Sequence, residues 1–333
     1  MRLLRNKSFF NEEVLMQELR PKVSIIGCGN VGVRYVYALM IKGIARQIVM
    51  VDMDRRRLEG EVMDLSHGVP YIHPVEVVCG EYSDIKNSDM VVITAGKKQK
   101  PGQSRMDLAK DNVDVYRQII PEIMKYAPEA VFVVVSNPVD VLAYAAYALS
   151  GKNPREVISS GTVLDTARFR FLLSKHCRVD PHNIHAYILG EHGDTEFPAW
   201  SNAMIGGILF KDYCRMCGNN GQCNHDEIFK TIFNEVRDSA YKIIERKQET
   251  SYGIGLALVR ITQAVIDDEN AILPVSSLVN GCYGLNDVYL SLPAVVNRSG
   301  VREIVNPDLS PEELQALHIS ADAIKNTINH CGL

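Results

Sequence analysis

Between Lys22 and Ser159 the chain repeats one pattern, a short and almost continuously apolar run followed by a stretch long enough for a helix. The runs are Val23 to Ile26, Ile48 to Val51, Val75 to Val78, Val91 to Thr94, Val131 to Val135 and Val157 to Ser159, rich in Val and Ile. Strands that are apolar on both faces must be covered on both faces, so the pattern predicts a doubly wound parallel sheet with crossover helices. After Gly161 longer helical patterns take over, at Val163 to Cys177, Asp226 to Arg246, Tyr252 to Asp267 and Pro311 to about Asn329. We therefore expect an α/β domain over 22–162 and a second, α+β domain over 163–331. Residues 1–21 read as an N-terminal arm, with Asn11 able to cap a short helix that Pro21 ends. The interval from Phe210 to Asp226 is polar and rich in Gly, Asn and Cys, and reads as an exposed excursion with an insert at 213–225.

Composition narrows the partners. With 36 basic and 40 acidic residues the net charge is -4, which leaves no surplus to neutralise a nucleic-acid backbone or an anionic membrane, so neither is expected. Eight cysteines in 333 residues are too few for a disulfide scaffold, and no apolar stretch before Arg20 has the form of a signal peptide. Reduced thiols in a cytoplasm are the expected setting, and no run reaches the length of a membrane span.

The first chemistry lies at the end of the first run. Gly27-Cys28-Gly29-Asn30-Val31-Gly32 has the spacing G-x-G-x-x-G between a predicted strand and a predicted helix over Val31 to Met40. Gly27 permits a tight turn, Gly29 lets backbone approach a pyrophosphate, and Gly32 lets helix pack on strand, while the helix N-terminus offers unpaired N–H groups to anionic oxygens. Asp52 ends the next run, where a carboxylate can accept bonds from ribose hydroxyls and would repel a 2′-phosphate. The expected ligand is NAD rather than its phosphorylated form. A bare helix-packing turn followed by a solvated Asp would explain the glycines but not their order with strand, helix and acid. Thr94-Ala95-Gly96 and Val135-Ser136-Asn137 lie at further strand ends, where open α/β sheets bind ligands.

The second half supplies a proton carrier. Gly190-Glu191-His192-Gly193-Asp194 sets an imidazole between glycines, and histidine both takes and gives a proton near neutrality. A turn histidine bonded to local backbone would be the ordinary reading of that pentapeptide alone. Asp165-Thr166-Ala167-Arg168 opens a helix with carboxylate and guanidinium on one face; a surface pair accounts for Asp165, but Arg168 in a first turn opposes the helix dipole and gains more from an external carboxylate. Arg105 follows the polar loop Lys97 to Ser104, which could close over a ligand, and begins a helix predicted through Tyr116.

With these motifs in this order, the sequence from Pro21 onward resembles the NAD-dependent lactate and malate dehydrogenases, more narrowly the L-lactate dehydrogenases. The resemblance rests on the glycine motif, Ile93-Thr94-Ala95-Gly96, Lys100 to Arg105, Ser136-Asn137-Pro138-Val139-Asp140, Asp165 to Arg168 and Gly190 to Asp194. It implies a Rossmann-type domain and reversible conversion of pyruvate and L-lactate, a step of fermentation and glycolysis. His192 would be the proton donor and acceptor, Asp165 its orienting carboxylate, Arg168 the grip on the substrate carboxylate and Arg105 the polariser of the carbonyl. Asn137 would position substrate and nicotinamide, after a cis bond to Pro138. Arg57, Tyr82, Asn112 and Ile254 are implied as further cofactor contacts beside Gly27, Gly29, Asn30, Val31, Gly32, Asp52, Thr94, Ala95, Gly96, Val135 and Ser136.

Gln99 decides between lactate and malate. A guanidinium there resembles a malate dehydrogenase, because oxaloacetate carries a second carboxylate, whereas a neutral amide leaves that charge unpaired and resembles the lactate pattern. Thr250 matches that pattern too, restricting room beyond a methyl group. The alternatives are a malate or broader L-2-hydroxyacid dehydrogenase. A silent NAD-binding structural protein should have lost one of Arg105, Asp165, Arg168 or His192, and all four are present.

The resemblance further implies a homotetramer and, in allosteric members, fructose 1,6-bisphosphate bound by residues matching Arg170 and His185. Cys214, Cys217, Cys223 and His225 have a spacing like that of a structural zinc site, against the reading of an exposed insert with reduced thiols.

Overall fold

The computed structural model describes residues 21–99, 102–216 and 225–333. The expected N-terminal arm, Lys100 and Pro101, and the zinc reading at Cys214, Cys217, Cys223 and His225 lie outside the described residues or their described side chains.

The apolar runs become strands β1 (Lys22–Ile26), β2 (Gln47–Val51), β3 (Glu76–Cys79), β4 (Met90–Ile93), β5 (Val131–Val134) and β6 (Val157–Ser159), all paired in parallel. Their order, 6-5-4-1-2-3, reverses direction between β1 and β4; this switch point is where doubly wound sheets open a crevice at their carboxyl ends. Connecting helices α1 (Asn30–Lys42), α2 (Arg55–His67), α3 (Arg105–Tyr126) and α4 (Val139–Ser150) cover the sheet. One apolar core gathers Val91, Ile93, Phe132 and Val134, and another gathers Val23, Ile25, Val92 and Val133. Alternate residues of the same strands thus face two cores, as their unbroken apolarity requires.

The second half begins with α5 (Val163–Cys177). Short strands follow at Ile184–His185 (β7), Ile188–Leu189 (β8), Phe197–Pro198 (β9), Met204–Ile205 (β10) and Ile208–Leu209 (β11), then helices α6 (Phe210–Met216), α7 (His225–Lys247) and α8 (Tyr252–Ile266). Five strands complete it, β12 (Ala271–Leu273), β13 (Ser276–Val279), β14 (Val288–Ser291), β15 (Ala294–Asn297) and β16 (Gly300–Ile304), before α9 (Pro311–His330). A third core collects Phe169, Ile188, Phe210 and Val236.

Three features differ from the sequence expectation. Strand β13 pairs antiparallel with β6, and β14 with β13, so the second half extends the first half's sheet. Helix α3 does not stop near Tyr116 but runs ten residues further, past Pro121; the buried stripe of Tyr116, Ile120 and Ile123 continues through the proline and offsets its lost bond, a cost of about 3 kcal/mol. The polar interval begins later than Phe210, which is fully buried and stacked on Trp200 at the start of α6.

Candidate active site

The glycine turn closes at the switch point. Gly27 has φ +92°, and a Cβ there would stand 2.4 Å from the Ala95 nitrogen, so both conformation and space demand glycine. A Cβ on Gly32 would meet the Gly27 carbonyl oxygen at 2.5 Å, whereas one on Gly29 would meet nothing within 4 Å. Gly32 is therefore the packing residue, and Gly29 opens the face where backbone N–H groups of Asn30 and Val31 start α1. This open cradle at a helix N-terminus fits a dinucleotide pyrophosphate.

Asp52 holds the turn's other side. Its Oδ2 accepts from Cys28 N at 2.6 Å and its Oδ1 from Asp54 N at 2.9 Å. Thr94 Oγ1 donates to the Gly27 carbonyl, and Ala95 N donates to Ile26 O at 2.8 Å. Val135 N bonds Ile93 O at 2.9 Å, and Ser136 Oγ bonds Ala95 O at 2.5 Å, which ties the ends of β4 and β5 together beside Gly96. Asn137 is exposed at the crevice, and its bond to Pro138 is cis. Asn112 is buried on α3 and spends its amide locally: Oδ1 accepts from Lys97 N at 2.6 Å, and Nδ2 donates to Asn137 O at 2.8 Å. It joins the loop to the Asn137 strand end rather than offering a free polar atom. Arg57 is on the outer face of α2, paired with Glu61, and half-buried Tyr82 starts the turn after β3.

Residues from the second half reach the same edge because α8 packs along α1, cross-linked by Tyr35 Oη and Thr262 Oγ1 at 2.6 Å. This places half-buried Thr250 and Ile254 near the glycine turn, where Glu249 pairs with Arg34 at 3.0 Å and accepts from Asn30 Nδ2.

The proton-handling group stands on α5 and the loop after β8. Asp165 is almost fully buried in the first turn of α5; its Oδ2 accepts from His192 Nδ1 at 2.6 Å and its Oδ1 from Arg168 Nη1 at 2.7 Å. One carboxylate thus fixes both the imidazole tautomer and the guanidinium, leaving His192 Nε2 as the nitrogen that can exchange a proton. Burial acts to lower the His192 pKa, but the Asp165 charge and hydrogen bond, assisted by Glu196 and Asp140, carry it up to about 9. Burial would raise Asp165, yet His192 and Arg168 together hold it below the ordinary carboxylate value. The imidazolium–carboxylate state is the resting state at neutral pH.

Arg105 approaches from α3. Its Nη1 and Nη2 grip Asp194 at 3.0 and 3.1 Å, and Nη2 donates to Tyr241 Oη at 2.7 Å. The contact joins the first residue of α3, which follows the polar loop, to the residue two positions beyond His192. Gln99 is exposed on that loop and donates through Nε2 to Gln103 O at 2.8 Å. Arg170 and His185 sit away from this group, on α5 and β7: Arg170 Nε donates to Ala186 O at 3.0 Å and its guanidinium lies over the Tyr187 ring, while His185 is exposed.

Sequence reasoning missed four partners of these groups. Asp140 is buried and accepts from His192 N at 2.8 Å, with its carboxyl raised to about 6 by burial against that bond and the imidazole. Its only signal was its place at the end of the Ser136–Asp140 motif. Asp194 and Tyr241 hold Arg105, and Glu196 lies buried beside Asp165 and His192. No spacing marks Tyr241 or Glu196, because both join the site through tertiary packing.

A dinucleotide cradle joined to an imidazole–carboxylate pair and two guanidinium groups defines a nicotinamide-dependent oxidoreductase. The chain matches the family of the lactate/malate dehydrogenase NAD binding domain over residues 21–159 and that of the lactate/malate dehydrogenase alpha/beta C-terminal domain over residues 162–332. It is 49% identical over 307 residues to an L-lactate dehydrogenase of Thermoanaerobacter sp. (strain X514), covering 92% of this chain and 98% of that one. It is 45% identical over 306 residues to an L-lactate dehydrogenase of Priestia megaterium, covering 92% and 95%. Among solved structures, a lactate dehydrogenase from a Medee basin deep-sea metagenome library superposes with a TM-score of 0.90 at 43% identity, covering 95% of this chain and all of that one. The chain belongs to the lactate/malate dehydrogenase family.

Proposed function

We propose that this protein is an NAD-dependent L-lactate dehydrogenase that interconverts pyruvate and L-lactate. The observation that carries the chemistry is that the buried carboxylate of Asp165 is bonded at once to His192 and Arg168. Bound nicotinamide supplies or accepts the hydride. In pyruvate reduction negative charge grows on the carbonyl oxygen, and imidazolium His192 neutralises it by giving up the Nε2 proton. Arg168, held by Asp165, binds the substrate carboxylate, bidentate geometry being the particular strength of guanidinium. Arg105 exchanges Asp194 for the developing alkoxide as the loop closes and water leaves. In lactate oxidation neutral His192 takes the hydroxyl proton, and Asp165 stabilises the cation that results.

Glycines 27, 29 and 32 with Asn30 and Val31 hold the pyrophosphate, and Asp52 the adenosine ribose. Thr94, Ala95, Gly96, Val135, Ser136, Asn137 and Ile254 line the nicotinamide half, with Arg57 and Tyr82 toward the adenine. Gln99 and Thr250 set the preference for a methyl side chain. The domains divide at 162/163, with β13 and β14 returning to the first domain's sheet.

A homotetramer is the assembly the family resemblance implies, and the exposed apolar side chains of Tyr37 and Ile41 on α1 and of Leu256 on α8 are suited to a contact between copies. Fructose 1,6-bisphosphate is read as an effector at Arg170 and His185. NADH consumption with pyruvate and with oxaloacetate, each with and without the bisphosphate, tests both substrate and effector. Preference for oxaloacetate refutes the lactate assignment, and a bisphosphate that changes neither saturation nor assembly refutes the effector.

A further inference from the structure

We propose that Glu196 is a third, titrating member of the Asp165–His192 pair, sharing the site's proton with the imidazole and thereby setting the pH range over which His192 can donate. Glu196 follows the catalytic loop, just before β9, and its residue is 6% exposed. Ligating atoms of Asp165, His192 and Glu196 all lie within 4.8 Å of one another. Among the described residues the Glu196 side chain has neither a cation of its own nor a hydrogen-bonding side chain, a costly state for a buried ionised carboxylate. The cations that face it are those of the site itself, His192 and Arg168, and the acids are Asp165 on α5 and Glu191 on the loop. Asp140 on α4 accepts from the His192 backbone N–H, and Arg105 is paired with Asp194.

A metal ion is a poor occupant for the three groups, because both oxygens of Asp165 are engaged by His192 and Arg168. Proton sharing fits them. When the imidazole is protonated, its charge and that of Arg168 favour ionised Glu196; when the imidazole has given up its proton, burial and the Asp165 charge favour neutral Glu196. Burial, with Asp165 second, raises the Glu196 carboxyl to about 8, so it titrates in the range where His192 does, and the two protons leave in steps that belong to the pair. Ionised Glu196 keeps His192 protonated to higher pH than Asp165 alone would.

The test is Glu196→Gln, which fixes the position neutral at the same size. The basic limb of kcat/KM for pyruvate should move down by about one pH unit, the lower end of shifts caused by a charge at this range. At a pH on the original limb this is about a tenfold loss for pyruvate, and the rising limb for lactate should move down by the same amount, so that lactate oxidation gains below the limb. Opposite changes in the two directions are not produced by disturbed packing. Glu196→Asp should keep the limb close to its original place, and the fluorescence of Trp200, the one tryptophan of the sequence, reports folding of each variant. Should the Gln variant not fold, infrared difference spectra of the unaltered protein around pH 8 must contain a buried carboxylic acid band that disappears as pH rises. An unmoved limb, parallel losses in both directions, or absence of that band overturns the role of Glu196. The inference rests on His192 being the proton donor: if the unaltered protein converts neither pyruvate nor lactate, that reading fails, whereas an active enzyme with an unmoved limb refutes Glu196 alone.

Discussion

Replacing Asp165 by Asn separates the carboxylate's charge from its shape. Asp165, with smaller help from Glu196 and Asp140, raises His192 from an ordinary 6.5 to about 9 against the opposing effect of burial. Without the Asp165 charge, burial should carry the imidazole back to about 6.5 or lower, a change worth about 3.5 kcal/mol or more at roughly 1.4 kcal/mol per unit. The sign follows from which form donates. Pyruvate reduction needs imidazolium, so kcat/KM for pyruvate falls as pH rises through about 9 in the unaltered enzyme and through about 6.5 or below in the variant. At about pH 7.5 the variant is protonated in roughly a tenth of molecules or fewer, a tenfold loss from titration alone. An Asn that turns its amide toward Nδ1 also imposes the wrong tautomer, and the total loss should reach roughly 10³ to 10⁴. Arg168 loses its buried partner as well, so stability should drop by about 3–5 kcal/mol, the usual effect of breaking a buried pair. The assay is kcat/KM for pyruvate across pH, with thermal denaturation alongside. A variant whose basic limb stays near that of the parent would refute the electrostatic role of Asp165.

Three further outcomes check other parts of the site. Arg105→Gln should lower kcat/KM for pyruvate by roughly 10²- to 10³-fold, as loss of one alkoxide donor does, with melting almost unchanged because the Asp194 pair is half exposed; steady-state kinetics and a melting curve decide. Gly32→Ala forces the Gly27 carbonyl to move from a 2.5 Å contact, and should cost about 1–3 kcal/mol while weakening NADH binding measured by fluorescence titration. Gln99→Arg should shift preference toward oxaloacetate by roughly 10²-fold or more, since a buried unpaired carboxylate costs several kcal/mol; competing-substrate kinetics would show a failure as unchanged selectivity.

What was legible in the sequence depended on how local its cause was. The six parallel strands and the glycine turn follow from apolar runs and from backbone positions that only glycine can occupy, and both are written in contiguous residues. Arg168 and Asp165 share one helix turn, so their pairing is also local. The antiparallel return of β13 onto β6, with β14 beside β13, is not, since Ser276 meets Ser159 across more than a hundred residues of chain. Helix α3 exceeds its sequence prediction because tertiary burial of Ile120 and Ile123 outweighs the local cost of Pro121. Glu196 and Tyr241 escape notice for the same reason, as neither belongs to a spacing that chemistry dictates.

The two guanidinium groups proposed to bind substrate differ in how deeply their partners are buried. Each is paired with a carboxylate at 3.0 Å or less, Arg168 with Asp165 and Arg105 with Asp194. The first pair is 14% and 3% exposed and the second 48% and 61%. Breaking the buried pair would strand two charges in low dielectric, so Arg168 keeps Asp165 throughout and can only add a ligand on its remaining donors. An exposed pair contributes about 1 kcal/mol or less, so Arg105 can release Asp194 and take up an oxygen on the substrate at little cost. On the proposed mechanism, anchoring therefore falls to the buried arginine on α5 and closing to the exposed arginine on α3. The chain's small negative net charge has no bearing on either, because each cation is individually matched and its availability is set by the depth of its partner.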